Sequence, residues 1–338
     1  MNCRRVLVPV CILCLMWSLS SAKKTLNPSC RKPYFQLVFM ARAKFHTMDK
    51  AKINGSCSWL NGCRREKKMC TKQKNLSRIL WNARKLAVKY CESQFKYDQW
   101  NCAFNMKYFK ESFRETGYMQ AIAAASLMYS YGVACSEGLI QSCKCGKHGK
   151  AINGSKWHWG GCSFNVPYAK RMARKFLNVG KNEDGLAFLM KHNSEIGFKS
   201  VQSSLERKCR CHGVSGSCSV KTCWRGIKPF EKISEFLKNE YHSAISVDFT
   251  NVVNNPVKNT AHRIMYLKPT LDLCHTTVGR HCNGTDNCAT LCCGRGYEVK
   301  SIEVVYICNC EWKDHAVFNG DDLVCEQCRK NQDVYTCK

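Results

Sequence analysis

Close to its start the chain carries Arg4 and Arg5, then an apolar run from Val6 to Trp17, then Ser20, Ser21 and Ala22 ahead of Lys23 and Lys24. A basic end, a short apolar stretch and small residues at a cleavage point predict a secretory signal peptide over residues 1–22. The run falls short of the ~20 residues a helix needs to cross a bilayer, so it reads as a leader rather than an anchor. A second stretch, Gly117 to Ser136, holds no charged residue, but Gln120, Ser126, Ser130, Tyr118, Tyr129 and Tyr131 interrupt it, and Cys135 needs a partner in the lumen. It predicts a helix buried inside a helical domain. Helical spacing also marks Leu76–Tyr90, Tyr168–Leu177 and Asp184–Leu205, the last with apolar Leu186, Leu189, Met190, Ile196 and Val201. Towards the C-terminus the period shortens to two over Val299–Ile307, which predicts strands. The expected class is α+β: a mostly α-helical N-terminal domain followed by a small β domain.

Cysteine usage changes that picture. The chain has 27 cysteines; the leader removes Cys3, Cys11 and Cys14 and leaves 24, an even number in a chain bound for an oxidising compartment. Disulfides are the default there. Fourteen cysteines fall in residues 23–264 and ten in 265–338, with a cysteine-free gap between Cys223 and Cys274. The expected organisation is a signal peptide (1–22), a helical domain (23–225), a linker (226–264) and a cysteine-rich finger domain (265–338). The last piece, 74 residues, is too small to bury enough apolar surface alone and relies on its bridges.

Charge is equally uneven. Residues 265–338 carry 8 Lys or Arg against 10 Asp or Glu, a net −2, whereas residues 23–264 carry 43 against 15, a net +28. For a secreted chain the polyanions within reach are sulfated glycans and anionic membrane surfaces, not nucleic acid. Arg64, Arg65, Lys67 and Lys68 form one candidate heparan sulfate patch, and Lys170, Arg171, Arg174 and Lys175 another. Sequons stand at Asn54, Asn75, Asn153 and Asn283.

The densest chemical signal is 207–224, Arg-Lys-Cys-Arg-Cys-His-Gly-Val-Ser-Gly-Ser-Cys-Ser-Val-Lys-Thr-Cys-Trp. In a strand Cys209 and Cys211 share a face, whereas Cys218 and Cys223 do not, so two bridges closed on one hairpin would demand a bulge in its second strand. Gly213 and Gly216 supply turn residues, and Ser215 falls at the tip. Three readings compete. A serine hydrolase is disfavoured because Gly213-Val214-Ser215-Gly216-Ser217 breaks the G-x-S-x-G elbow at its last position. A zinc site on Cys209, Cys211, His212 and Cys218 would need thiolates in an oxidising compartment. An exposed hairpin with no chemistry is the third.

A resemblance favours a further reading over all three. C-H-G-V-S-G-S-C followed by V-K-T-C-W closely resembles the acylation hairpin of Wnt proteins. Other parts of the family are resembled by Cys91-x10-Cys102 with Gln-Trp-Asn, Cys135-Ser-Glu-Gly leading to Cys143 and Cys145, Trp159-Gly-Gly-Cys162-Ser, His192-Asn-x-Glu-x-Gly197, Cys292-Cys293-Gly-Arg-Gly and Tyr-Thr-Cys337-Lys. The resemblance spans about Cys57 to Lys338. It implies a non-enzymatic ligand whose Ser215 is esterified with palmitoleate by the acyltransferase Porcupine. It also implies bridges Cys91–Cys102, Cys135–Cys143, Cys145–Cys162, Cys209–Cys223, Cys211–Cys218, Cys274–Cys293, Cys282–Cys288, Cys292–Cys337, Cys308–Cys328 and Cys310–Cys325. Cys57 with Cys70 resembles an optional family pair, leaving Cys30 with Cys63.

The implied partners are Wntless during secretion, the cysteine-rich domain of Frizzled receptors and an LRP-class co-receptor. Receptor contact is expected at His212, Val214 and Ser215 and at the finger tip. There the sequence departs from the family: no adjacent cysteine pair lies between Cys310 and Cys325, and Val317 and Phe318 are the apolar residues in its place.

Overall fold

The computed structural model describes residues 57, 64–72, 75–102, 111–148, 157–177, 185–248, 263–269, 272–314 and 321–338. The leader, Cys30, Cys63, Asn54, Asn153, Val317 and Phe318 lie outside the described residues.

The first body is built on α1 (Arg64–Lys72), α2 (Leu76–Gln94), α3 (Arg114–Ser136), α4 (Val166–Leu177), α5 (Gly185–Ser203) and α6 (Phe230–His242). The uncharged stretch is α3. It begins where the Phe113 N–H donates to Thr116 Oγ1 at 2.9 Å, and it is apolar on nearly every side because α2, α4, α5 and α6 surround it. No described helix is long and apolar enough to cross a membrane.

Small residues on α3 let neighbours approach closely. A Cβ on Gly197 of α5 would stand 2.0 Å from the Ala121 carbonyl oxygen, so only glycine fits. Beside it Asn193 is fully buried, yet its amide donates to Gln120 Oε1 (2.9 Å) and the Met265 carbonyl (3.0 Å) and accepts from the Met265 N–H (3.0 Å). A buried polar group satisfied in this way joins α5, α3 and the chain beyond α6 into one unit. The His192-Asn-x-Glu-x-Gly197 motif is therefore structural.

Two sequence expectations need correction. Residues 226–264 are not simply a linker: they contain α6, whose Phe230, Ile233, Leu237 and Tyr241 are buried against the core. Pro229 starts that helix, and β4 (Ile245–Ser246) then pairs in parallel with β5 (Met265–Tyr266). The helix expected over Asp184–Leu205 ends at Ser203, and Leu205 opens a strand.

The second body holds β6 (His281–Cys282), α7 (Gly284–Leu291), and the long strands β7 (Tyr297–Asp314) and β8 (Asp321–Cys337), which pair antiparallel. Its ribbon exposes Val299, Ile302, Val305 and Ile307, and its buried cluster is mainly Cys282, Cys288, Leu291, Cys292 and Cys337. Cross-links replace a core here; each contributes typically about 2–4 kcal/mol. The second body docks on the loop after α2, where Arg280 donates to the carbonyls of Gln99 (2.7 Å) and Lys96 (2.9 Å) and Asn287 to that of Tyr97 (2.9 Å).

Among the described residues eleven disulfides close, namely Cys57–Cys70 and the ten pairs the resemblance implies.

Candidate functional site

The hairpin is made by β2 (Leu205–Cys211) and β3 (Lys221–Ile227), in unbroken antiparallel register with Cys209 opposite Cys223 and Cys211 opposite Lys221. The bulge expected in its second strand is absent. Cys218 lies in the loop before β3 begins, so it reaches Cys211 (Cα–Cα 4.6 Å) without having to match the strand's alternation. The register irregularity is found instead in β7, between Cys308 and Glu311, where Asn309 takes φ +46°.

The hairpin is anchored at its base. β1 (His158–Trp159) pairs in parallel with β3, the Phe164 N–H donates to the Arg225 carbonyl (2.8 Å), and the Arg225 N–H donates to Ser163 Oγ (3.0 Å). Cys223 and Ile227 are buried there. The Trp159-Gly-Gly-Cys162-Ser segment is thus a buttress, which also explains why it stands far from the hairpin in sequence.

The tip is a 3-10 turn, Val214–Gly216, with Ser215 at φ +54°, ψ +30°. That left-handed conformation costs a side-chain-bearing residue roughly 1–2 kcal/mol. The surrounding loop holds it: the Gly213 N–H donates to Ser217 O (2.8 Å), that of Ser217 to Val214 O (3.1 Å), and that of His212 to Val220 O (2.7 Å). A Cβ on Gly213 would meet Ser217 Oγ at 2.0 Å, Ser219 Oγ at 2.4 Å and Ser217 O at 2.6 Å. Ser215 is exposed and its hydroxyl makes no hydrogen bond among the described residues, while Val214 beside it is 90% exposed.

This arrangement suits a modification more than catalysis. His212 Nε2 bonds Thr222 Oγ1 at 2.7 Å, which turns the imidazole back along the hairpin and away from a role as base to Ser215. Cys209, Cys211 and Cys218 are all in disulfides, so none offers a thiolate to a metal. An unbonded hydroxyl on a clamped, solvent-facing tip fits esterification by an external enzyme. Arg207, stacked over Trp157 (5.0 Å), and exposed Lys208 and Arg210 make the approach cationic. The roles of Gly213 and Thr222 depend on cross-strand register and could not be seen before the strands were paired.

Other expected sites are dispersed. Asn75 and Asn283 are both exposed, Asn75 Nδ2 donating to the Leu139 carbonyl (3.2 Å). In the second basic patch, Glu195 pairs with Lys170 (3.0 Å) and with Arg174. Near the finger tip, the described Trp312 and Leu323 face each other across the strands, 69% and 51% exposed.

Comparison with known proteins agrees with this layout. The sequence profile described as the wnt family matches residues 60–338. Protein Wnt-4 of Drosophila melanogaster is 34% identical over 312 residues, covering 86% of this chain and 57% of that protein. This chain therefore spans little more than half of the fly relative's length. Protein Wnt-9a of Gallus gallus is 31% identical over 310 residues, 83% of this chain and 86% of that one. Protein Wnt-9b of Homo sapiens is 33% identical over 309 residues, 83% and 85%. A solved structure titled human WLS in complex with WNT8A superposes with a TM-score of 0.57 at 27% identity, covering 85% of this chain and 97% of that one. With the profile spanning most of the sequence, the chain belongs to the Wnt family.

Proposed function

We propose that this protein is a secreted signalling ligand acylated with palmitoleate on Ser215, and that the acyl chain is its main grip on the cysteine-rich domain of a Frizzled receptor. The observation that carries this reading is the exposed, unbonded Ser215 hydroxyl at a tip fixed by two disulfides. Burying an acyl chain contributes about 0.8 kcal/mol per methylene, on the order of 10 kcal/mol gross for palmitoleate before entropic losses. That exceeds what Val214 and His212 supply beside it. Porcupine is the proposed acyltransferase.

An exposed chain of this size promotes aggregation and membrane adhesion, so a carrier is needed in transit. The WNT8A structure was solved with WLS, which supports Wntless in that role here. At the finger, Val317 and Phe318 are the proposed second receptor contact, continuing from the exposed Trp312–Leu323 pair. An LRP-class co-receptor completes the signalling assembly. Heparan sulfate is the proposed extracellular matrix ligand of the basic N-terminal body, and the four sequons are the proposed glycan sites.

The test is Ser215→Ala. Secretion and thermal unfolding should match wild type, while binding to an immobilised Frizzled cysteine-rich domain falls by orders of magnitude. Equal binding by the alanine protein would overturn the reading.

A further inference from the structure

Two cavities lie side by side along α3. One, of about 410 Å³, has Ile79 and Leu86 of α2 and Leu139 as its apolar wall, with Arg78, Lys85 and Lys89 of α2 also lining it. The other, of about 640 Å³, is walled by Phe164 and by the hairpin residues His212 and Trp224. Tyr129, Val133 and Glu137 line both, and their spacing of four places them on one face of the helix. Tyr129 and Val133 are half-buried, whereas every other apolar residue of α3 is buried. The most enclosed of the described helices is therefore uncovered at Tyr129 and Val133, and that strip is the floor of a trough.

We propose that this trough is an acyl-chain site, occupied by the lipid carried on Ser215 of the same molecule when no receptor or carrier holds it. The inference rests on the reading that Ser215 is acylated and deepens it by assigning the chain a resting place.

Three observations favour this occupant. The trough runs along one face of the hairpin that bears the lipid: Lys208, Arg210 and His212 line it at alternate positions, while Cys209 pairs with Cys223 on the other side. Ser215 stands three residues beyond His212, at most ~10 Å of backbone, within reach of a long-chain acyl group folding back. Both volumes lie in the range of about 300–1,000 Å³ typical of ligand cavities. Tyr129 and Val133 give the floor an apolar stretch that ends at the exposed Glu137, and a neutral ester needs no counter-charge on that stretch, so Arg210, Lys208 and Glu137 remain solvated at the rim. Two places for one chain, trough or partner groove, make a two-state equilibrium that a receptor shifts only through its higher affinity for the released chain.

The experiment uses the full-length secreted protein from cells fed a palmitoleate analogue carrying a terminal diazirine. After detergent-free irradiation and reduction, mass spectrometry maps the cross-link. The expected result is analogue on Ser215 joined to the peptide 115–144, which carries Tyr129 and Val133. Analogue on Ser215 with no cross-link to that peptide overturns the trough and leaves acylation standing. No analogue on Ser215 overturns the acylation reading and the trough with it. Val133→Asp, and Leu86→Asp from the facing wall, should each raise capture of the acylated protein on neutral phosphatidylcholine vesicles several-fold, with no change in a Ser215→Ala background. Unchanged capture by both variants also overturns the proposal.

Discussion

Gly213→Ala separates the geometry of the hairpin tip from the stability of the fold. The added methyl would lie 2.0 Å from Ser217 Oγ, 2.4 Å from Ser219 Oγ and 2.6 Å from Ser217 O. Both hydroxyls can rotate away, but the carbonyl oxygen accepts the Gly213 N–H at 2.8 Å, so the backbone itself must shift. Overpacking of this kind costs about 1–3 kcal/mol. At 1.4 kcal/mol per factor of ten, the native tip becomes about 5- to 150-fold less populated relative to a displaced one. The displacement stays local, because both hairpin disulfides and the β1–β3 pairing lie outside it. The melting temperature should therefore hold while the acylated fraction of the Ser215 peptide, read by mass spectrometry under limiting acyltransferase, falls in proportion. Adding Ser217→Ala and Ser219→Ala leaves the clash with the Ser217 carbonyl in place and should not restore the loss. Wild-type acylation by Gly213→Ala would refute the claim that the tip conformation is what the transferase reads.

Gly197→Ala drives a methyl against the Ala121 carbonyl, a backbone atom, and should destabilise the helical body by about 3 kcal/mol, the upper end for overpacking, lowering Tm by several degrees. Burial lowers the His192 imidazole below its usual 6.5, opposed by its contact with the Arg263 carbonyl (2.8 Å). The unfolded chain then binds the extra proton first, so the stability this residue contributes is full above about pH 6.5 and declines as pH falls through that value. Tm measured from pH 7.5 to 5 should fall less in His192→Gln, and identical slopes would remove the explanation. On heparin, replacing exposed Lys67 and Lys68 with Gln should lower the eluting salt more than replacing Lys170 and Arg174, because Glu195 already offsets the latter pair. The reverse order would discard the first patch.

The helices were legible where the chain announces them through composition. The uncharged run from Gly117 to Ser136, interrupted by Gln120, Ser126, Ser130 and three tyrosines, suits a buried helix better than a membrane span, and α3 is buried. A helix end is less legible where a tertiary contact sets it. Leu205 continues the apolar pattern of α5 but pairs with Ile227, and that partner is distant in sequence. Pro229 and the spacing of Phe230, Ile233, Leu237 and Tyr241 carry the signal for α6, but its charged outer face reads as linker. The expected hairpin bulge came from assuming that Cys218 belongs to a strand. The α3 trough could not be anticipated: Tyr129 and Val133 look like any other core residues of an apolar helix until their neighbours are placed.

The central claim is that one hydroxyl, Ser215, carries the lipid through which this ligand acts. The direct measurement is the intact mass of the peptide containing Ser215, released from secreted protein without base so that an ester survives. A mass increase equal to one palmitoleoyl group, localised by fragmentation to Ser215 and absent from Ser217, is the predicted result. An unmodified Ser215 in protein that still activates Frizzled would contradict the account.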